Sequence, residues 1–381
     1  MLAIGLMSGT SLDGVDAALV EIINEKFKLI KFITLPYEEE FKKKIMRNLS
    51  DETAKLSEIS SLNFELSYKF VESIDKLLEG TPYEYSDIDF VSSHGQTIWH
   101  DPKGDKYPKD RVFLTKQVPS TLQIGCASYI NYKTKIKVVS NFRLKDICAG
   151  GEGAPLVPFS EYFLYKSDEK NVVFQNIGGI SNLTYIKKKS SINDVISFDN
   201  GVGNIMIDYF VNKYFKVPYD KGGQIALSGK VIKPILDCLL EDEYIYLDYP
   251  KSTGREKFSS EFMEEIAEKL EFDKYNKEDI VCTISEFTAY GISYSYNNII
   301  KNIDLAIISG GGSHNQYILK RIREMTGIEV ITGDDASINS DAKEAVAFVV
   351  LGYMTLQGKS SNVPSATGAK EDVILGDITI W

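Results

Sequence analysis

Two hydrophobic periods alternate along the chain. Short apolar runs bounded by polar or turn-forming residues fall at Asp87–Ser92, Lys135–Ser140, Asn171–Gln175, Asp194–Phe198, Asp304–Ser309 and Ile328–Ile331, and they predict strands. Apolar residues recur at helical spacing over about Glu38–Asn48, Leu56–Leu78, Gly203–Tyr214, Ser259–Leu270, Lys277–Lys301, His314–Met325 and Asp341–Leu356. Strands alternating with helices predict an α/β fold.

One local design occurs twice. Near the start, the apolar run Leu2–Met7 meets the small and polar turn Ser8-Gly9-Thr10-Ser11-Leu12-Asp13-Gly14 and resumes as Val15–Ile23. In the second half, Val172–Asn176 meets Ile177-Gly178-Gly179-Ile180-Ser181-Asn182 and resumes as Leu183–Ile186. Each reads as a hairpin with a glycine-bearing tip. A third cluster, Ser309-Gly310-Gly311-Gly312-Ser313-His314-Asn315, follows a strand and opens a helix, where free backbone N–H groups favour anions. Taken singly, each is equally well a tight turn. Taken together, duplicated tips facing one another could offer backbone donors to both sides of a polyphosphate. The spacing of a Walker-A loop is broken before both Lys230 and Lys359, and no G-x-G-x-x-G follows the first strand.

At 381 residues the chain is long enough for two or three domains. The 54 acidic against 43 basic residues give a formal charge of −11, which opposes the counterion release that nucleic-acid binders use. Nucleic acid is therefore not the expected partner. The longest apolar stretch, Glu344–Leu356, is shorter than the roughly 20 residues a bilayer span needs, and the start of the chain has no basic leader, so no membrane contact is expected. Cys126, Cys148, Cys238 and Cys282 stand far apart, which suits reduced thiols in a cytoplasm. His94, His100 and His314 lack the spacing of a zinc site.

A set of segments in order resembles the anhydro-N-acetylmuramic acid kinase family, within the superfamily of actin, Hsp70 and sugar kinases. They are Gly5–Asp16, Ser93–Ile98, Asn141–Arg143, Gly151–Pro158, Asn176–Asn182, Phe198–Asn204, Lys251–Glu256, Gly310–Gly312 and Glu344–Phe348. The resemblance implies a two-lobed, actin-like ATPase fold, a duplicated ribonuclease H-like design with a central cleft. The first lobe is expected over 1–140 with 352–381, and the second over 141–351. It also implies ATP-dependent phosphorylation of 1,6-anhydro-N-acetylmuramic acid at O6 with hydrolytic opening of the anhydro ring, by a cytoplasmic homodimer using Mg²⁺.

The reaction demands a base for the attacking water, as in inverting glycoside hydrolysis. By the resemblance Asp199 is that base and Glu344 helps hold the water; otherwise Asp199 shapes a turn and Glu344 is a solvated helix residue. Arg143, one of only six arginines, could pair its planar fork with the lactyl carboxylate or with phosphate, or else form a salt bridge between lobes. His94 and Gln96, read as lying in a short polar loop just beyond a strand, are candidates for hydrogen bonds to the sugar. Gly9, Thr10, Ser11, Leu12, Asp13, Gly14, Val15 and Asp16 of the first tip are candidates for ATP contact. So are Gly178, Gly179, Ser181 and Asn182 of the second, and Gly310, Gly311, Gly312 and Asn315. Asp13 is the candidate for orienting water around Mg²⁺.

The family usually has proline at the place of Val202 and Asn or Asp at that of Cys126. Asp101–Ser120, with three prolines and four lysines, reads as a flexible surface insertion. Two other readings stand beside the kinase of anhydro-sugar. In a conventional sugar kinase, Asp199 would deprotonate a free hydroxyl; an ATP-switched binding protein of the actin or Hsp70 type would not turn sugar over.

Overall fold

The computed structural model describes residues 1–9, 12–103, 118–254, 257–336 and 341–381. Its strands are β1 (Leu2–Ser8), β2 (Gly14–Ile23), β3 (Lys26–Pro36), β4 (Phe90–Asp101), β5 (Ser120–Ile124), β6 (Val138–Ser140), β7 (Val172–Ile177), β8 (Ile180–Ile186), β9 (Ile196–Val202), β10 (Leu305–Ser309), β11 (Glu329–Thr332) and β12 (Asp377–Thr379). The chain forms two compact units, Met1–Leu164 with Asp341–Trp381, and Tyr165–Ser340.

In the first unit, β1, β2 and β3 form an antiparallel meander, β4 runs parallel to β1, and β6 runs parallel to β4. In the second, β7, β8 and β9 form the meander, β10 runs parallel to β7, and β11 parallel to β10. The two sheets therefore follow the same path, β3-β2-β1-β4-β6 and β9-β8-β7-β10-β11. The duplication suggested by the two hairpin tips extends to a whole sheet. β12 adds to β6, and β5 pairs with the far half of β4.

Each sheet is covered by helices that present an apolar stripe. In Leu56–Leu78 the buried positions Leu62, Leu66, Phe70, Ile74 and Leu77 recur every three or four residues and join Ile4, Leu6, Val15 and Leu19 in the core of the first unit. In the second unit the helix Lys277–Tyr294 is buried on nearly every face, among them Ile280, Ile284, Phe287 and Ile292. It continues as a π-helical turn over Ser295–Ile300, where one α-helix to Lys301 was expected.

Three differences from the sequence expectation have local causes. The first unit takes in residues 141–164 and 341–351, which the sequence had grouped with the second lobe. The helices Val157–Tyr165 and Lys343–Leu356 are tied to each other by Ser160 Oγ donating to Ala347 O (3.0 Å) and by the Lys343–Glu161 ion pair (2.5 Å). The second helix also lies against β1 and β4, with the Ser92 hydroxyl donating to the carbonyl of Phe348. Next, β4 does not end before His94. It runs on to Asp101 by exchanging its parallel neighbours for the antiparallel β5, which pairs Gln96 with Ile124. Finally, β3, β5 and β12 went unpredicted. β3 does carry a two-residue alternation, but its lysines mask it; β12 has three residues and exists only through its pairing with β6. Most of the Asp101–Ser120 insertion, 104–117, lies outside the described residues.

Candidate active site

In the first unit, β4 and the helix Leu144–Cys148 bring His94 to Arg143. The His94 ring is buried, and its Nδ1 lies 2.9 Å from Gly95 O while Nε2 accepts from Arg143 Nε (3.1 Å) and Nη2 (2.9 Å). Burial, reinforced by the Arg143 charge, holds the imidazole pKa down at about 3. The ring is therefore neutral, with its proton on Nδ1 and its lone pair aimed at the guanidinium. Arg143 Nη1 donates to Gly153 O at 2.7 Å. Burial lowers the Arg143 pKa to about 10 against the raising fields of Glu344 and Asp146, so it remains a cation at neutral pH. Three N–H groups are thus engaged, which leaves one on each terminal nitrogen of the fork.

Gln96 is buried with its amide oxygen accepting from Ser8 Oγ (2.6 Å), and Ser8 in turn lies 2.7 Å from the Tyr37 hydroxyl. Its side chain braces the first hairpin tip. Around that tip, Leu12 and Val15 are core residues, so only their backbone can serve a ligand. Thr10 and Ser11 lie outside the described residues. Gly9 is partly exposed, and a Cβ at Gly14 would lie 2.2 Å from Leu35 O, so Gly14 serves the pairing with β3. The Asp13 side chain is 72% exposed, 3.7 Å from Lys42 Nζ. Asp16 accepts from Thr34 Oγ1 (2.6 Å); burial raises its pKa against that bond, and Asp341 and Asp13 raise it further.

Glu344 stands in the first turn of its helix and is exposed to solvent. Surrounding protein nonetheless desolvates its carboxylate and raises its pKa, with Asp16 adding to the rise and Lys343 and Arg143 opposing it. An accessible carboxylate that is poorly hydrated suits a group that handles a proton or a water.

In the second unit, three glycine-bearing turns meet. A Cβ at Gly203 would lie 2.2 Å from Gly178 O, and Gly203 N and Asn204 N donate to Gly179 O (2.9 Å) and Gly178 O (2.7 Å). Gly310, at φ +78°, brings its backbone to Ile177, where a Cβ would lie 2.8 Å from the carbonyl oxygen. Gly311 is exposed at this junction and Gly312 is buried against Ile177. Asn204 stands at the N-terminus of the helix Ile205–Phe215, yet its amide donates to Ile177 O (3.0 Å) and does not cap the helix. Asn315 does cap its helix, Gln316–Thr326, accepting from Ile318 N at 3.2 Å.

Asp199 lies on β9 opposite Asn182, while Ser181 pairs with Gly201, so Asn200 is the extra residue of a bulge. Thr253 N donates to Asp199 Oδ2 (2.9 Å), and the Tyr244 hydroxyl donates to Asp199 O (3.0 Å). Lys251, whose carbonyl accepts from Asp199 N, has its pKa pushed down to about 8 by burial, against the nearby carboxylates Asp248, Asp242 and Asp199. Ser181 is buried, and its hydroxyl accepts from Gln175 Nε2 at 2.9 Å.

Several supporting residues escaped the sequence reading. Gln175 Nε2 also reaches Asn182 O (2.7 Å) and Asn200 Oδ1 (2.9 Å), and its Oε1 accepts from Tyr296 (3.1 Å). A fully polar side chain in the middle of the apolar run Val172–Ile177 was the available signal. Thr288, whose hydroxyl donates to Gly203 O (3.0 Å), gave none, since the contact spans 85 residues.

Among the described residues no group of three or more His, Cys, Asp or Glu could hold a metal by itself, and no helix is long and apolar enough to cross a membrane. Asp13 and Asp16 offer hard oxygen donors to a cation that keeps other ligands from water or phosphate.

Each unit by itself offers a glycine-bearing hairpin tip and an acidic side chain, Glu344 in the first and Asp199 in the second, features that suit a phosphotransferase. The family model described as anhydro-N-acetylmuramic acid kinase matches residues 1–380, and the chain belongs to that family. A relative of that name from Clostridioides difficile (strain 630) is 45% identical over 388 residues, covering 100% of this chain and 98% of its own. Those from Bacillus cereus (strain 03BB102) and Caldanaerobacter subterraneus subsp. tengcongensis are each 42% identical, covering 98% and 100% of this chain and 98% and 97% of theirs.

Proposed function

We propose that the protein phosphorylates 1,6-anhydro-N-acetylmuramic acid at O6 at the expense of ATP, with simultaneous hydrolysis of the anhydro bridge. The observation that carries the reading is the junction of Gly178–Gly179, Gly203 and Gly310–Gly312 beside the Asp199 strand, in a chain matched from end to end by the family.

Asp199 takes a proton from water. The water oxygen bonds to C1 as the C1–O6 bond breaks, and O6 captures the γ-phosphoryl group of ATP. The products are N-acetylmuramic acid 6-phosphate, ADP and one proton. Asp199 is suited to this because a backbone N–H holds one carboxylate oxygen. Glu344, its carboxylate desolvated by the protein around it, is the residue assigned to help hold water. Arg143, oriented by neutral His94, receives the lactyl carboxylate through its two remaining N–H groups. Gln96 acts from behind, holding Ser8 at the first tip.

Backbone of the first and second tips and of the glycine triplet contacts ATP, and Asn315 keeps the triplet in place by capping the next helix. Burial raises the Asp16 pKa and the neighbouring Asp341 and Asp13 add to the rise, an acidic setting that fits a divalent cation, with Asp13 and Asp16 the residues that would hold it. Mg²⁺ there would neutralise phosphate charge. The protein acts as a cytoplasmic homodimer, a state that light scattering checks.

The deciding experiment is turnover in ¹⁸O-water with Mg-ATP and the anhydro-sugar. Label on C1 of the 6-phosphate is expected. A phosphorylated product without label would instead indicate a conventional sugar kinase, and absence of any product would overturn the proposal.

A further inference from the structure

Asp146 is fully buried, and its carboxylate is held by three neutral donors from two stretches of chain. Gly153 N donates to Oδ2 (2.7 Å), while Asn362 Nδ2 (3.0 Å) and Thr367 Oγ1 (2.8 Å) donate to Oδ1. The enclosure leaves no room for a side chain at Gly151, where a Cβ would lie 2.3 Å from Asp146 Oδ2. Further bonds close the same knot: Gly151 N donates to Asp146 O (2.9 Å), Glu152 N to Thr367 O (2.8 Å) and Lys370 N to Ala149 O (2.9 Å).

Gly153 is the link to the site. Its N–H is fixed by Asp146, and its carbonyl takes the Nη1 bond of Arg143. Arg143 stands at the N-terminus of the short helix Leu144–Cys148, on which Asp146 lies one turn further along. One side of the guanidinium is thus set by His94 and another by a carbonyl whose position depends on Asp146. The buried carboxylate also favours the charged form of Arg143.

We propose that Asp146 is a positioning residue for substrate recognition, joining the C-terminal stretch Asn362–Thr367 to the loop that aims Arg143. The proposal rests on the reading of Arg143 as receptor for the sugar carboxylate. Asp146→Asn keeps the shape but presents an amide group where both oxygens accept, so at least one donor loses its partner. Thr367→Val removes a single donor and leaves the carboxylate in place.

The test compares steady-state kinetics on the anhydro-sugar acid and on its methyl ester, which lacks the charge, with circular dichroism and thermal melts as controls for folding. Asp146→Asn should raise KM for the acid about ten-fold, on the order of one charged hydrogen bond, with much less change for the ester. KM for ATP and kcat at saturation should hold within about two-fold. Thr367→Val should move the same KM in the same direction by less. A purely structural role would lower kcat and folded fraction or act alike on acid and ester, and either result in Thr367→Val or in a folded Asp146→Asn overturns the proposal. Unchanged KM for the acid in both variants overturns it as well. Arg143→Gln is run in parallel: if it leaves the preference for acid intact, the reading of Arg143 itself fails. If it abolishes that preference while Thr367→Val and Asp146→Asn do not, only the role of Asp146 fails.

Discussion

Replacing Gly203 by alanine tests whether the second hairpin tip must touch the turn after β9. The new Cβ would start 2.2 Å from Gly178 O and 3.1 Å from Gly179 O, both backbone atoms that cannot rotate away. Restoring van der Waals distance requires the tip to move by on the order of 1 Å, a displacement that can cost about 10²-fold in rate when it misplaces a reacting group. The same movement strains three bonds, from Gly203 N and Ile205 N to Gly179 O and from Asn204 N to Gly178 O. Overpacking of this kind costs about 1–3 kcal/mol. In a unit of this size that lowers Tm by roughly 2–4 °C per kcal/mol. A coupled assay of ADP release over a Mg-ATP titration, run beside a thermal melt, reads both effects. The expected outcome is a raised KM for ATP and lowered kcat in a protein that still folds. Wild-type kinetics and an unchanged Tm would refute the close approach and the use made of it.

Asp199→Asn should lose about 10²- to 10⁴-fold in kcat while binding ATP nearly as wild type, since an amide oxygen can still accept from Thr253 N; retained kcat would remove Asp199 from the role of base. His94 has a folded-state pKa depressed to about 3, so below the unfolded value near 6.5 the unfolded chain binds the proton first. Its contribution to stability is therefore fully present above pH 6.5 and is lost towards pH 3, by about 1.4 kcal/mol per pH unit at most. Urea unfolding at pH 7.5, 6 and 5 should show His94→Gln less sensitive to acid than wild type, and equal sensitivity would count against a buried neutral imidazole. Asn315→Ala should destabilise the second unit by about 1 kcal/mol through loss of a helix cap, measured by denaturant midpoint; no change would show the cap to be dispensable.

The hairpin tips, most helices and the α/β class were legible because each leaves a local mark: glycines between apolar runs, or an apolar stripe at helical spacing. Leu56–Leu78 was read to the residue, since eight buried positions on one face make its pattern strong. Arg143, Asp199 and Glu344 were singled out from recognisable segments; the side chains of Gln96, Ser181 and Asn315, singled out as ligand contacts, also brace or cap the backbone, which no local pattern announces. The extension of β4 through His94 was hidden because its polar residues find their partners far along the chain, Gln96 in Ser8 and His94 in Arg143, so that the segment resembles a loop when read by itself.

Composition, periodicity and glycine placement, all properties of neighbouring residues, were enough to determine the α/β class and two similar hairpin tips. Tertiary structure alone decided which distant groups meet: Gly203 on Gly178, Thr288 on Gly203, and Asp146 on Asn362 and Thr367. Such contacts depend on the three-dimensional path of the backbone. Hydrogen bonds and close packing act over a few ångströms of space, whatever the separation along the chain.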